Sequence, residues 1–454
     1  MANDTQAPSV LSLAKQVLEL SARISTYLDS SAHVHSELRE SSAEVPSSEE
    51  YEALRAPLND AALDLLRLIN GPKNTLRSFF FSHYDLAALQ VALDRRFFHH
   101  VPLMTSSSGS GGEILSNGNC ITKQGATIRD IALKANMDED RTGRIMRLLA
   151  THRIFEEDTG ERDVFRHTAA SALLARDNDF HATADMQHPT EKILYHRMDD
   201  MLKAVSQTSA LIKKSPYVSS TENSPFATAY GMKVYQYYEE NPEKGKRFAQ
   251  AMSSWSQLDR QISELRDAFP WETLGSGKVV DIGGGSGHIS IALAQQYPFL
   301  HFVVQDISPN MLSQSQDSTI ASLKDRISFQ QHDFFQPQPI HDAGAFLLRQ
   351  CLHNYNDADC VKIIKAVVPA LEKCKKGTPF LINDVIMPKS GSTTRYEEHH
   401  LRQVDFCMLV VLGAKQRSEE DFVELLKEAD SRFKIVNVYN NALGVGLLEV
   451  HLNV

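Results

Sequence analysis

The sequence is poor in cysteine: only Cys120, Cys351, Cys360, Cys374 and Cys407 occur in 454 residues. Their number is odd and no Cys-x-x-Cys pair is present, which argues against a disulfide framework and a zinc cluster and for reduced thiols. No apolar run approaches the roughly 18–20 residues that span a bilayer. The opening Met-Ala-Asn-Asp-Thr-Gln lacks the basic-then-apolar order of a secretion signal. Basic residues are the minority, 47 Lys and Arg against 57 Asp and Glu, a net charge of −10. A nucleic-acid binder shows the opposite sign, at least locally. Glu397-Glu398-His399-His400 has no ligand spacing and reads as a solvated surface run, so no metal site is expected. What these absences leave is the expectation of a cytoplasmic enzyme, with neither membrane nor nucleic acid as partner.

The first hundred residues have helical periodicity. Leu13, Val17, Leu20, Ile24 and Tyr27 recur on one face. Leu54, Leu58, Leu65, Leu68 and Ile69 follow in a second segment that Asn70-Gly71-Pro72 stops. A third runs through Leu86, Leu89, Val91 and Leu93. Such stripes serve either internal packing or a helical dimer interface. Residues 105–125 contain a loop rich in Ser and Gly. Thr127 to Ala132 and Asp138 to Thr151 then predict two helices, and Ile154-Phe155 with Val164-Phe165-Arg166 predict a hairpin, together the outline of a winged helix. DNA reading would need a basic helix, and Asp138, Glu139 and Asp140 crowd its start. Packing is the plainer role.

From Lys278 strands and helices alternate: Val279–Ile282, Ile289–Gln296, Phe302–Asp306, Ile327–Gln330, Ala345–Leu348, Lys362–Lys373 and Pro379–Ile382. This predicts a parallel sheet with helices on both faces. The fold class expected is α/β: a C-terminal Rossmann-like, doubly wound sheet behind an all-helical N-terminal region. We divide the chain into residues 1–186 (dimerisation helices and winged helix), 187–271 (a helical connector) and 272–454 (the sheet domain).

Asp281-Ile282-Gly283-Gly284-Gly285-Ser286-Gly287 sits where a strand meets a helix. Gly283, Gly284, Gly285 and Gly287 let a ligand approach the main chain closely. Asp306 ends the next strand and can accept both ribose hydroxyls of a nucleoside. Asp333 is placed to accept from an adenine amino group, and Phe334 to lie on the adenine face. An NAD site is the rival. However, the pattern is not Gly-x-Gly-x-x-Gly, and Asp281 would repel a pyrophosphate while attracting a sulfonium or amino group. S-adenosylmethionine is the cofactor these residues favour. His353 follows the strand Ala345–Leu348 at the carboxyl edge of the sheet, where a neutral imidazole can take a proton from an attacking hydroxyl. Phe226, Met232, Met252, Phe406 and Met408 are candidates for the substrate wall, each equally readable as core.

Several motifs occur in order from about Ile121 onward. They are the winged-helix segment, Ser224 to Met232, Val280 to Gly287, His332-Asp333-Phe334-Phe335, and Leu348-Arg349-Gln350-Cys351-Leu352-His353-Asn354. In these the chain resembles the class I S-adenosylmethionine-dependent O-methyltransferases of the caffeic-acid type, especially fungal secondary-metabolite members. The resemblance implies a homodimer with interlocked N-terminal helices, His353 as general base and Arg349 beside the cofactor. It also implies two acids that orient the base. One matches Asp384. The other falls in Gly413-Ala414-Lys415-Gln416-Arg417-Ser418, where Gln416 replaces it, and the residue after the base is Asn354 rather than Asp. A glutamine can hold an imidazole nitrogen but cannot stabilise imidazolium by charge. The gap between a phenol (about 10) and a histidine (about 6.5) corresponds to roughly 5 kcal/mol for full proton transfer. The expected reaction is methyl transfer to a hydroxyl of a small aromatic or polyketide-derived metabolite. Some relatives of this fold bind the same cofactor without using its methyl group and act as dehydratases or pericyclases, which is the alternative.

Overall fold

The structure is a computed structural model that describes residues 7–42, 44–46, 48–104, 125–176, 200–248, 262–309, 312, 323–439 and 445–453. Two compact units divide the chain, Met1–Asp199 and Asp200–Val454. Most of the 105–125 loop, Cys120 and Met252 lie outside the described residues. No described helix is long and apolar enough to cross a membrane.

In the first unit, the helix Val10–Ser30 starts at a Ser9/Ser12 capping box and buries Leu13, Leu20 and Leu28. The next helical run, Glu49–Asp94, is broken at Gly71 (φ 66°, ψ 171°), ahead of Pro72. The stop expected at Asn70-Gly71-Pro72 is therefore a kink, after which Pro72 restarts the helix. Helices Ile128–Ala135 and Glu139–Thr151 are capped by Thr127 and Asp138. Strands β1 (Ala126–Thr127), β2 (Phe155–Glu157) and β3 (Val164–His167) form an antiparallel sheet in the order β1-β3-β2. Phe97, Phe98, Ile131, Met146, Leu149, Phe155 and Phe165 fill the core of this unit. Arg144, Arg147 and Arg153 each face a carboxylate of the same module: Asp140, Asp163 and Glu156.

The second unit is built on one sheet. Its strands are β4 (Lys278–Ile282), β5 (His301–Asp306), β6 (Ile327–Gln331), β7 (Ala345–Arg349), β8 (Phe380–Met387), β10 (Phe433–Tyr439) and β11 (Val445–Leu452). Their order is β10-β11-β8-β7-β4-β5-β6, and the short β9 (Arg417–Ser418) pairs with β8. Strands β4 to β8 run parallel, and β11 and β10 return antiparallel. The side-chain period of two sends Val280, Ile282, Phe346 and Leu348 into one core layer and Val279, Ala345 and Leu347 into the other. In register, Ile282 stands beside Gln305 and Leu348, and Arg349 beside Asn383. The loops after these strands therefore open at one edge, where the order reverses around β4.

Two features differ from the sequence reading. Strand β8 continues past Ile382 to Met387 with every residue buried, because Asn383 and Asp384 are polar but partnered. Strands β10 and β11 were not expected. Arg417, 1% exposed, ties the end of this unit to the β7 loop. Its guanidinium donates to Leu352 O and Tyr355 O, each at 2.9 Å, and to Asp357 Oδ1 at 2.7 and 3.0 Å. Replacing it would leave two partly or wholly enclosed carbonyls unpaired. Arg417→Met is expected to cost about 3 kcal/mol in urea denaturation. An unchanged midpoint would show that the clasp adds nothing to stability.

Candidate active site

The glycine turn is held by its neighbours on both sides. Gly284 N–H donates to Gln305 O and Gly287 N–H to Gly284 O, both at 2.9 Å. Gly285 N–H donates to Asp306 Oδ2 at 3.1 Å. Two of the glycines have distinct reasons. A Cβ on Gly284 would lie 2.6 Å from the Asp281 carboxyl. Gly287 has φ 78° and lies against the Phe329 ring, as it must to start the helix His288–Gln296.

Beneath the turn lies Asp281, almost fully buried. Ser290 Oγ donates to its Oδ2 at 2.6 Å. Burial pushes its pKa up to about 6; the Ser290 bond and Arg349 pull the other way, and Asp306 adds to the rise. Asp306 Oδ1 accepts from Ser308 N–H at 2.8 Å. Asp333 Oδ1 accepts from Phe335 N–H at 3.0 Å, which shapes the loop bearing Phe334. The Phe334 ring lies 3.3 Å from the point where Gly283 would carry a Cβ, and it meets Tyr355 edge-on at 5.8 Å. Arg349 bonds Asn383 Oδ1 on the neighbouring strand.

After Arg349 the chain turns sharply through Gln350, a non-glycine residue at φ 51°, into the short helical turn Leu352–Asn354. This delivers His353, 7% exposed, to Asp384 of β8. His353 Nδ1 lies 2.8 Å from Asp384 Oδ1, and the His353 backbone N–H donates to Oδ2 at 3.2 Å. The ring contact is close but off the line of an aligned hydrogen bond, so we read it as electrostatic. Gln416 is also buried; its backbone N–H donates to Asp405 Oδ1 at 2.8 Å. Its amide makes no hydrogen bond to the imidazole. Asp384 thus meets the base and Gln416 does not.

Of the substrate-wall candidates, Phe226 has no exposed surface: Tyr230 (4.7 Å) and Tyr237 (5.4 Å) enclose its ring. Met232 and Met408 pack half-buried against the same cluster. Phe406 is 47% exposed on the helix Arg395–Leu412. Three residues escaped the sequence reading. Cys351 feels Asp384, Asp281, Asp306 and Arg349, and burial drives its pKa up. One thiol in the field of all four places the glycine turn and the His353 pair in one neighbourhood. Tyr235 is 49% exposed, yet burial and Cys351 raise its pKa to about 12. Tyr235 thus lies near Cys351 with part of its surface open. His288, at the start of its helix, is likewise exposed and desolvated, with its pKa lowered by burial and then by Arg349. The run Val234-Tyr235-Gln236-Tyr237-Tyr238 was the available signal for Tyr235. Among the described residues no group of His, Cys, Asp or Glu could hold a metal ion.

A parallel sheet whose order reverses at a glycine turn, extended at one edge by the antiparallel pair β11 and β10, is the arrangement of the class I methyltransferase fold. Residues 214–432 match the O-methyltransferase domain family. The chain is 44% identical over 448 residues to O-methyltransferase sol2 of Alternaria solani, covering 99% of this chain and 96% of that protein. Among solved structures, OxaC superposes with a TM-score of 0.70 at 21% identity, covering 98% of this chain and 99% of that one. LepI in complex with S-adenosylmethionine gives 0.68 at 19% identity, covering 97% and 100%. The chain belongs to the S-adenosylmethionine-dependent O-methyltransferase family, and S-adenosylmethionine is its cofactor.

The raised pKa of Asp281 has a sign for stability. The folded state holds the proton from the unfolded value of 3.8 up to about 6, so stability falls as pH rises through that window. Asp281→Asn is expected to stabilise the unliganded protein at pH 7.5 by roughly 3 kcal/mol, a gain that fades towards pH 4. Thermal melts across this range test it; a variant less stable at pH 7.5 would reverse the assignment.

Proposed function

We propose that the protein transfers the methyl group of S-adenosylmethionine to a hydroxyl of a small aromatic or polyketide-derived metabolite, with His353 as general base. The observation that carries this reading is the His353–Asp384 pair, 2.8 Å apart at the sheet edge that bears the glycine turn. The cofactor supplies an electrophilic methyl on a positively charged sulfur. The residues present fit it. Gly283, Gly284, Gly285 and Gly287 would admit the cofactor to the main chain, and Asp306 would accept from its ribose hydroxyls. Asp333 and Phe334 would hold the adenine, and Arg349 would flank the cofactor. Asp281 gives a buried negative charge whose ionised form a nearby cation favours. With Nδ1 turned to Asp384, His353 Nε2 is the nitrogen that takes the substrate proton. The Asp384 carboxylate stabilises the imidazolium that results. Tyr235 joins Met232, Met408 and Phe226 in forming or backing the substrate wall.

The name of the sol2 relative supports methyl transfer. One solved neighbour is described as "A Pericyclic Reaction enzyme", with a TM-score of 0.67 at 18% identity. Gln416 and Asn354 favour that second reading, in which the substrate gains no methyl. His353→Ala is expected to lower methylation by about a thousandfold while leaving affinity for S-adenosylhomocysteine within about twofold. Transfer of label from the cofactor measures the first and calorimetry the second. A product of unchanged mass, or one lighter by water, would replace methyl transfer with the pericyclic reading.

We also propose that the first unit pairs with a second copy of the chain. Leu76, Phe79, Phe80, Phe81 and Tyr84 are all exposed, Phe79 by 76%. Contiguous apolar surface of this kind marks an interface. Light scattering should give twice the chain mass for the wild type and the single-chain mass for Phe80→Asp. A monomeric wild type would remove the dimer.

A further inference from the structure

The Gln416 side chain is 4% exposed, and neither its amide oxygen nor its amide nitrogen has a hydrogen-bond partner among the described residues. Buried polar groups are rarely left so, and each one calls for a partner. The backbone that carries this amide is pinned. Gln416 N–H is bonded to Asp405 Oδ1 at 2.8 Å, and the next residue, Arg417, reaches Leu352 O at 2.9 Å. Leu352 immediately precedes His353. One clasp therefore carries the base on one side and the unpaired amide on the other.

The chemistry of the two groups is complementary. An amide offers an N–H donor and a carbonyl acceptor, and it adds no charge. His353 already has one carboxylate, Asp384, at 2.8 Å. Because Gln416 adds no second negative charge, proton transfer is easier from a hydroxyl more acidic than a simple phenol. A neutral donor carried on the same clasp as the base serves best where negative charge develops on a second oxygen of the same substrate. A vinylogous acid, the cyclic enol of a 1,3-dicarbonyl, has both properties. Its O–H bond breaks, the proton goes to His353, and the electron pair spreads over two oxygens. One of these is the nucleophile, and the other can accept the Gln416 N–H. A carboxylate in place of Gln416 would repel that second oxygen.

We propose that Gln416 is a specificity-determining residue that selects cyclic enols of 1,3-dicarbonyls over simple phenols. The inference rests on the methyl-transfer reading for its chemistry, whereas its test reads binding. The probes are 4-hydroxycoumarin and 1-naphthol, bicyclic hydroxyl compounds of similar size of which only the first carries the conjugated carbonyl. Calorimetry on the full chain with S-adenosylhomocysteine present should show 4-hydroxycoumarin binding at least about tenfold tighter than 1-naphthol. Gln416→Leu should erase that preference while 1-naphthol and S-adenosylhomocysteine bind within about threefold of wild type. The isosteric Gln416→Glu should weaken 4-hydroxycoumarin further by charge repulsion. No preference in the wild type, or a preference that survives both substitutions, would overturn the proposal. A Gln416-dependent preference without labelled methyl on 4-hydroxycoumarin supports it and counts against methyl transfer instead. Efficient methylation of 1-naphthol with no preference for the enol overturns this inference and leaves methyl transfer standing.

Discussion

A carboxylate buried under a glycine turn organises the cofactor side of this molecule. Asp281 occupies the space a side chain at position 284 would need, so residue 284 must be glycine. Ser290 bonds the same carboxylate, which fastens the first turns of the helix His288–Gln296 to the end of β4. Gly285 is in turn fastened to Asp306 on β5. Two acids thus fix the local structure: Asp281 the path of the turn and the start of the helix, Asp306 the link from the turn to β5. Desolvation makes the arrangement costly without a cation. That cost is the kind of strain expected where an apoprotein is built for its ligand.

The base side has a different logic. His353 is held not by its own strand but by Asp384 on the next one, and its loop is held by Arg417 from a segment far along the chain. The turn at Gln350 adopts a backbone conformation that non-glycine residues seldom take. Parallel pairing of β7 with β8 brings Arg349 beside Asn383, which puts Asp384 within reach of the turn that follows. The chemistry of the site therefore depends on sheet register as much as on the identity of the histidine.

Much of this was legible beforehand. The alternation of apolar runs and helical stripes located β4 to β7, and the glycine spacing located the turn. What was not legible has physical causes. Strand β8 looked finished at Ile382 because Asn383 and Asp384 are polar, and only their partners on β11 and at His353 make them compatible with burial. Strands β10 and β11 supply core residues such as Phe433, Leu447, Leu448 and Val450, but they carry no motif residue, and a reading that followed the motifs stopped short of them. Tyr235, Cys351 and His288 come from segments distant in sequence, and their shared surroundings exist only after folding. Conversely, the contact expected between Gln416 and the imidazole came from family analogy, which carries a residue's position but not the direction its side chain takes, and the amide makes no such bond.

All eight residues of β8 are buried, and two of them, Asn383 and Asp384, also serve the sheet edge where the base sits. A change in either is judged by the folding of the whole sheet before it is judged by chemistry. Drift along this strand is therefore closed to gradual exploration. Gln416 stands just outside β9, where the backbone is anchored but the side chain belongs to no ladder. On the proposal that Gln416 selects the substrate, preference can shift through one side chain that no strand pairing uses, whereas the same change in β8 would also disturb the sheet.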